Sequence, residues 1–259
     1  MENFGATKRD LANYFDDAEY VQEVERINPR YSWRWDYDSP LLPLADGLEQ
    51  KFLSIHETFK NLVPSSYEGK LTENIKDYIE VLLGSRRGEA IGIEFGGPGC
   101  KLFGGFEADI FRRTAGVTLT APPSLNDPTK NRYGEQRHAI IAGNFFYTKT
   151  RREIEHWLAG KHADVIFERM VGGLNLLPND RRIQEYIFNW WYRLLGENSV
   201  MFVQLPKSFF EDPDYLTRWI DLVKNSFSGS IDIISDGYNI RLNKLTGAPE
   251  KLPSLPQAM

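Results

Sequence analysis

From residue 89 onward the chain alternates short apolar runs with amphipathic stretches, and few architectures accept that pattern. The apolar runs are "AIGIEFG" (90–96), "GVTLTA" (116–121), "HAIIAGNFF" (138–146), "ADVIFERM" (163–170) and "NSVMFVQLP" (198–206). Helical patterns lie between them. "TRREIEHWLAG" carries a capping box, Thr150 to Glu153, and a terminal Gly160. Ile183, Tyr186, Ile187, Trp190 and Leu194 share one helical face. "DPDYLTRWIDLVKNSF" has Asp212 as N-cap and Pro213 in the first turn, with Leu216, Trp219, Ile220, Val223 and Phe227 facing inward. "SIDIISDGYNIRLNKL" (230–245) places two alternating runs around Asp236-Gly237, a hairpin signal. The pattern predicts an α/β fold: a mostly parallel seven-stranded sheet, helices on both faces, and an antiparallel last strand.

The first 88 residues read as helices and loops without a convincing strand. Phe52, Ile55, Phe59, Leu62 and Val63 sit at helical spacing, ended by Pro64. Ile75, Tyr78, Ile79, Leu82 and Leu83 make a second stripe, stopped by Gly84. Tyr31, Trp33, Trp35 and Tyr37 alternate with polar residues in an irregular segment (28–43), either a lid over a site or a brace against the core. The expected organisation is a helical N-terminal extension over 1–70, a Rossmann-like domain over 71–245 and a tail over 246–259. The Pro-rich tail is expected to be poorly ordered.

Glycine is concentrated where the first of these strands ends. "EFGGPG" sets Glu94 against Gly96, Gly97, Pro98 and Gly99. In an open α/β sheet, ligands bind beyond the carboxyl ends of the strands, where the strand order reverses. Glycines there let backbone turn sharply and a ligand come close. A carboxylate beside the turn repels phosphate and suits a cationic or zwitterionic ligand. No G-x-x-x-x-G-K-[ST] occurs, and the glycine spacing is not G-x-G-x-x-G. A nucleotide-phosphate cradle is therefore disfavoured; a tight turn with no ligand is the plainer alternative.

The charge of −5 leaves no global basic field for nucleic acid. Arg86-Arg87, Arg112-Arg113 and Arg151-Arg152 are expected to be ordinary solvated surface. The single cysteine, Cys100, excludes an intrachain disulfide and a CxxC-type zinc site, and is expected to be a small buried residue. No apolar run approaches the ~20 residues of a membrane span. The polar, acidic N-terminus does not read as a signal peptide, so the expected compartment is the cytoplasm.

With the acid-plus-glycine loop, the alternation and the closing hairpin, residues 75–245 resemble a class I S-adenosylmethionine-dependent methyltransferase. The resemblance implies that Glu94, Gly96, Gly97, Pro98 and Gly99 lie at the amino-acid end of S-adenosylmethionine. It implies that Gly143, Asn144 and Phe145, within "IIAGNFF", meet the adenine, and that the loop after "ADVIFERM", with Glu168, Arg169 and Met170, faces cofactor and acceptor. Three departures are visible. The glycine loop is one residue shorter than that family's spacing. The acid expected after its second strand is missing from "TLTAPPSLND", leaving Thr120, or Asp127 folded back, to meet the ribose. Asn144 stands where an Asp is usual, and its amide oxygen can still accept from an adenine amino group.

The implied activity is methyl transfer to a small-molecule acceptor. The alternatives are a non-catalytic S-adenosylmethionine-binding or interaction protein on the same fold, and a nucleotide-dependent enzyme on a similar sheet. The Asn/Asp-Pro-Pro-Tyr/Phe motif of amino-group methylases on nucleic acid is absent, and Cys100 lies in the loop rather than in a Pro-Cys nucleophile context. Glu168 reads as a base or a holder of a substrate amine and Arg169 as a holder of a carboxylate, or the two read as a structural ion pair or a solvated loop. His138 opens its strand at the far end from the expected site; His56, His156 and His162 fall on helices or loops. No cluster has metal-ligand spacing.

Overall fold

The computed structural model describes residues 58–118, 137–168, 181–204 and 213–254, apart from 98, 108, 144, 146, 147 and 238. The aromatic segment Tyr31–Tyr37, Pro98, Thr120, Asp127, Asn144, Arg169 and Met170 lie outside the described residues.

The chain enters through a 3-10 turn, Lys60–Leu62, followed by a small hairpin of β1 (Ser66–Tyr67) and β2 (Lys70–Leu71). That hairpin corrects the expectation of no strand before residue 89. Its strands are two residues each, too short to show a period. Helix α1 (Ile75–Leu83) starts on Asn74, whose side chain accepts from the Asp77 N–H at 3.0 Å, and ends on Gly84. All five residues of its predicted stripe are buried.

The remaining strands are β3 (Ala90–Phe95), β4 (Phe111–Thr118), β5 (His138–Ala142), β6 (Ala163–Glu168), β7 (Leu195–Gln204), β8 (Ile231–Ser235) and β9 (Asn239–Lys244). They form one sheet in the order β5-β4-β3-β6-β7-β9-β8. β9 is antiparallel to both its neighbours and the other pairings are parallel. Among the described residues the further helices are α2 (Cys100–Phe103), α3 (Thr148–Leu158), α4 (Arg181–Leu194) and α5 (Pro213–Ser226).

Strand alternation divides the core in two. Ile91, Ile93 and Phe95 of β3 pack with residues of α3, α4 and α5. Across the sheet, Val165, Phe167 and Phe202 pack with α1, α2, Phe59 and Leu62. Phe59 lies 5.4 Å from the Phe202 ring and Phe167 stacks on Phe202 at 5.3 Å. The Arg241 guanidinium donates to Leu62 O at 2.8 Å and to Asp232 at 2.7 Å, and Asn239 donates to Thr58 O at 2.9 Å. The described start of the chain is thus tied to β9 by polar as well as apolar contacts.

Several sequence expectations shift. β4 begins at Phe111, not at 116, because its first turns carry Arg112 and Arg113, which an apolar-run criterion rejects. β7 begins at Leu195 rather than 198. α3 begins at Thr148, so Thr150 lies inside the helix and forms no capping box with Glu153. The basic clusters are not merely solvated. Arg86 pairs with Asp164, Arg87 with Glu107 and Asp109, Arg112 with Glu89, and Arg113 donates to Leu158 O at 2.6 Å. Arg151 is only 4% exposed. The described part of the tail is packed on the domain: Leu252 is buried and its N–H donates to Asn189 at 3.0 Å, while Trp219 donates to Pro253 O and Tyr192 to Pro249 O. Proline-rich backbone keeps its carbonyls, and these indole and phenol groups use them.

Candidate functional site

The strand order reverses at β3: β4 and β5 lie to one side, β6 and β7 to the other. The glycine turn therefore stands at the position where open α/β sheets take ligands. Two of its glycines answer to backbone conformation. Gly96 has φ 82° and Gly99 φ 74°, a region that side chains strain. The Gly96 N–H donates to Val117 O at 3.0 Å, and the Gly99 carbonyl accepts from Phe103 N–H at 2.9 Å.

Gly97 is glycine for another reason. A Cβ there would lie 2.9 Å from the carboxylate carbon and both oxygens of Glu94. Glu94 is 1% exposed and accepts the Gly99 N–H at 2.8 Å. The acid is folded into the turn that follows it, and the missing side chain at 97 is the space it occupies. One Glu94 oxygen thus serves the turn itself, as the acceptor of the Gly99 N–H.

The β5–α3 connection approaches the same end of the sheet. Phe145 is buried, edge-on to Phe95 at 5.6 Å and 5.8 Å from Trp191. Its carbonyl accepts from Arg151 at 3.2 Å; Arg151 also donates to Thr148 at 3.0 Å and lies over the Tyr186 ring. Gly143 faces α3, where an added Cβ would fall on the Thr150 side chain, 3.1 Å from its methyl carbon. Thr150, wrongly expected as a cap, thus closes on Gly143.

Glu168 ends β6, 1% exposed, in register with Phe95 on one side and Val203 on the other. Glu94 pairs with Phe167, one step earlier, so the two acids project from opposite faces of the sheet. The structure gathers Glu94, Gly96, Gly97 and Gly99 into one turn and sets Phe145 on Phe95. It does not bring Glu94 and Glu168 together as a pair.

Two features escaped the sequence reading. His138 is not remote from the turn. It is 6% exposed, bonds Thr114 through Nδ1 at 2.7 Å, and its Cε1 would lie 3.0 Å from a Cβ on Gly99. Gly92, inside β3, is covered by Phe103. A glycine inside a strand is a signal for such close approach; a lone histidine at a strand start carries none. A cavity of about 590 Å³ runs along α3, lined by Thr148, Lys149, Arg152, Glu153 and His156, none of them from the turn. No group of three or more potential metal ligands occurs among the described residues.

No protein-family model matches the sequence, and no curated protein does. Among solved structures, the chain is similar to MycE methyltransferase from the mycinamycin biosynthetic pathway, in complex with Mg and SAH. The identity is 10% and the TM-score 0.44, over 75% of this chain and 56% of that one. It is similar to an O-methyltransferase from Bacillus cereus in complex with SAH, at 14% identity and TM-score 0.40, over 85% of this chain and 100% of that one. CalS11, a calicheamicin methyltransferase, matches at 12% identity and TM-score 0.39, over 88% and 92%. The chain spans about half the length of the MycE chains it matches, 56% and 53%. Similarity this low transfers neither ligand nor chemistry.

Proposed function

We propose that this chain binds S-adenosylmethionine across the carboxyl ends of β3, β4 and β5 and directs methyl transfer to a small-molecule acceptor. The observation that carries the reading is the Glu94-locked glycine turn at the reversal of strand order. The residues fit such a ligand: a turn stripped of side chains, a buried carboxylate rather than a phosphate cradle, and an antiparallel last strand as in the class I family that the sequence resembles. When bound, the cofactor supplies an electrophilic methyl group on a sulfonium.

In this reading Gly96, Gly97, Pro98 and Gly99 take the amino-acid end, with Glu94 fixing their path. Thr120 meets the ribose; Gly143, Asn144 and Phe145 meet the adenine. The chain's own contribution is alignment and exclusion of water. Glu168, buried at the end of β6, takes the acceptor's proton, and Arg169 holds an anionic group of the acceptor. Residues 71–245 form the cofactor-binding domain, 246–259 a tail and 1–70 an N-terminal extension, whose part ahead of the core residues Phe59 and Leu62 covers the site. The compartment is the cytoplasm, with neither nucleic acid nor membrane as partner; no helix among the described residues is long and apolar enough to cross a membrane.

A second reading, a non-catalytic S-adenosylmethionine-binding protein, is favoured by one observation: "TLTAPPSLND" offers no acid directly after the β4 run. Calorimetric titration with S-adenosylhomocysteine tests both, and absence of binding overturns both. Binding without transfer of label from methyl-labelled S-adenosylmethionine to a panel of hydroxylated and amino acceptors favours the second.

A further inference from the structure

We infer that His138, held by Thr114, is a positioning residue for the glycine turn, acting on cofactor affinity from behind the loop. The inference rests in part on the S-adenosylmethionine reading above. Gly99 is confined from three directions. Its N–H is bound by Glu94 at 2.8 Å. Its α-carbon lies over β4, where an added Cβ would be 3.1 Å from both Ala115 O and Gly116 Cα. The third wall is the His138 imidazole, 3.0 Å from that same Cβ position.

The ring reaches there from β5, two strands from β3 in the sheet. His138 pairs in register with Thr114 of β4, and the bond from Nδ1 to the Thr114 hydroxyl, 2.7 Å, sets its rotamer. Both side chains are buried, so water offers little competition for that bond. Glu94 therefore pulls the Gly99 amide from one side while the imidazole blocks retreat from the other. A loop that must present backbone to a ligand gains affinity when it is already in place, because less ordering is left for the binding step.

This role separates from general stability by where its loss is felt. The turn is assigned to the amino-acid end of the ligand, so loosening it should weaken S-adenosylhomocysteine but spare 5′-methylthioadenosine, which lacks that end. The variants are His138→Ala, which removes the ring, and Thr114→Val, which removes only the hydroxyl that holds it. The first readout needs no ligand: amide hydrogen exchange across residues 96–103 of the full chain. Both variants should speed exchange there while leaving β6 and β7 protected. The second readout is calorimetry. Affinity for S-adenosylhomocysteine should fall by about tenfold in His138→Ala, the size of one lost contact. Affinity for 5′-methylthioadenosine should stay within about twofold, a difference of well under 1 kcal/mol. Unchanged exchange in both variants overturns the inference, as does an equal loss for both ligands. A parent chain that binds neither ligand overturns the proposed function, and the exchange data still decide whether His138 holds the turn. If His138→Ala does not fold, Thr114→Val carries the same two readouts.

Discussion

Gly92→Ala places a single methyl group where the structure leaves no room. Gly92 sits inside β3 with backbone any residue can adopt, so the objection is spatial alone. A Cβ there would lie 2.8 Å from Phe103 Cζ, closer still to Cε1, and 3.1 Å from Phe111 Cε1. Ordinary carbon contacts are about 3.5–4.0 Å, so the shortfall at Phe103 approaches 1 Å or more. Phe103 cannot yield cheaply: it is wholly buried and edge-on to Phe111 at 5.1 Å. It also belongs to α2, directly after the turn, with its N–H on Gly99 O. Overpacking of this kind costs about 1–3 kcal/mol. The assay is urea unfolding of the full chain. The double variant Gly92→Ala/Phe103→Leu should recover part of the loss, giving a coupling on the order of 1 kcal/mol. An unchanged midpoint in Gly92→Ala, or strictly additive single effects, would refute the claim that Phe103 packs over this glycine.

Gly97→Val should push the Glu94 carboxylate off the Gly99 N–H and abolish S-adenosylhomocysteine binding while the chain stays folded; parental affinity by calorimetry would remove the turn from the site. Burial holds the Tyr78 phenol above its ordinary range, and its hydroxyl donates to Asn243 at 2.9 Å. Unfolded tyrosine ionises near pH ~10, so above that the folded state binds more protons and stability falls as pH rises, by about 1.4 kcal/mol per pH unit for one such group. Tyr78→Phe should lose about 1 kcal/mol at neutral pH and flatten that alkaline slope in urea titrations; Tyr192, pushed up to about 12 by burial, keeps its own contribution. A slope unaltered by Tyr78→Phe would count against it. Deleting residues 1–45 leaves Phe59 and Leu62 in place and should give a cooperatively unfolding chain whose melting temperature S-adenosylhomocysteine raises, without turnover; a non-cooperative melt would make the aromatic segment a brace.

What was legible in the sequence follows how far apart the interacting residues lie along the chain. The alternation of runs and helical stripes is local, and it located every strand of the sheet and its antiparallel hairpin. Glu94 and Gly97 are also local, and acid plus glycine could be read as one device. Charged strand starts were not legible: Arg112 and Arg113 look like surface until Glu89 and the Leu158 carbonyl are beside them. The tail read as loose because its partners, Asn189, Tyr192 and Trp219, belong to helices far earlier in the chain. Gly92, Gly97 and Gly99 make the same point along β3 and the turn that follows it. Each is glycine in part because another side chain occupies its space: Phe103, Glu94 and His138 in turn. Only the nearest of those was foreseeable: Phe103 reaches Gly92 because α2 folds back onto β3, and His138 reaches Gly99 because β5 and β4 become neighbours. The turn at the proposed site is therefore shaped by β5 as well as β3. Changes at the start of β5, at the opposite end of the strand from the proposed adenine contacts, should alter binding through the backbone it supports.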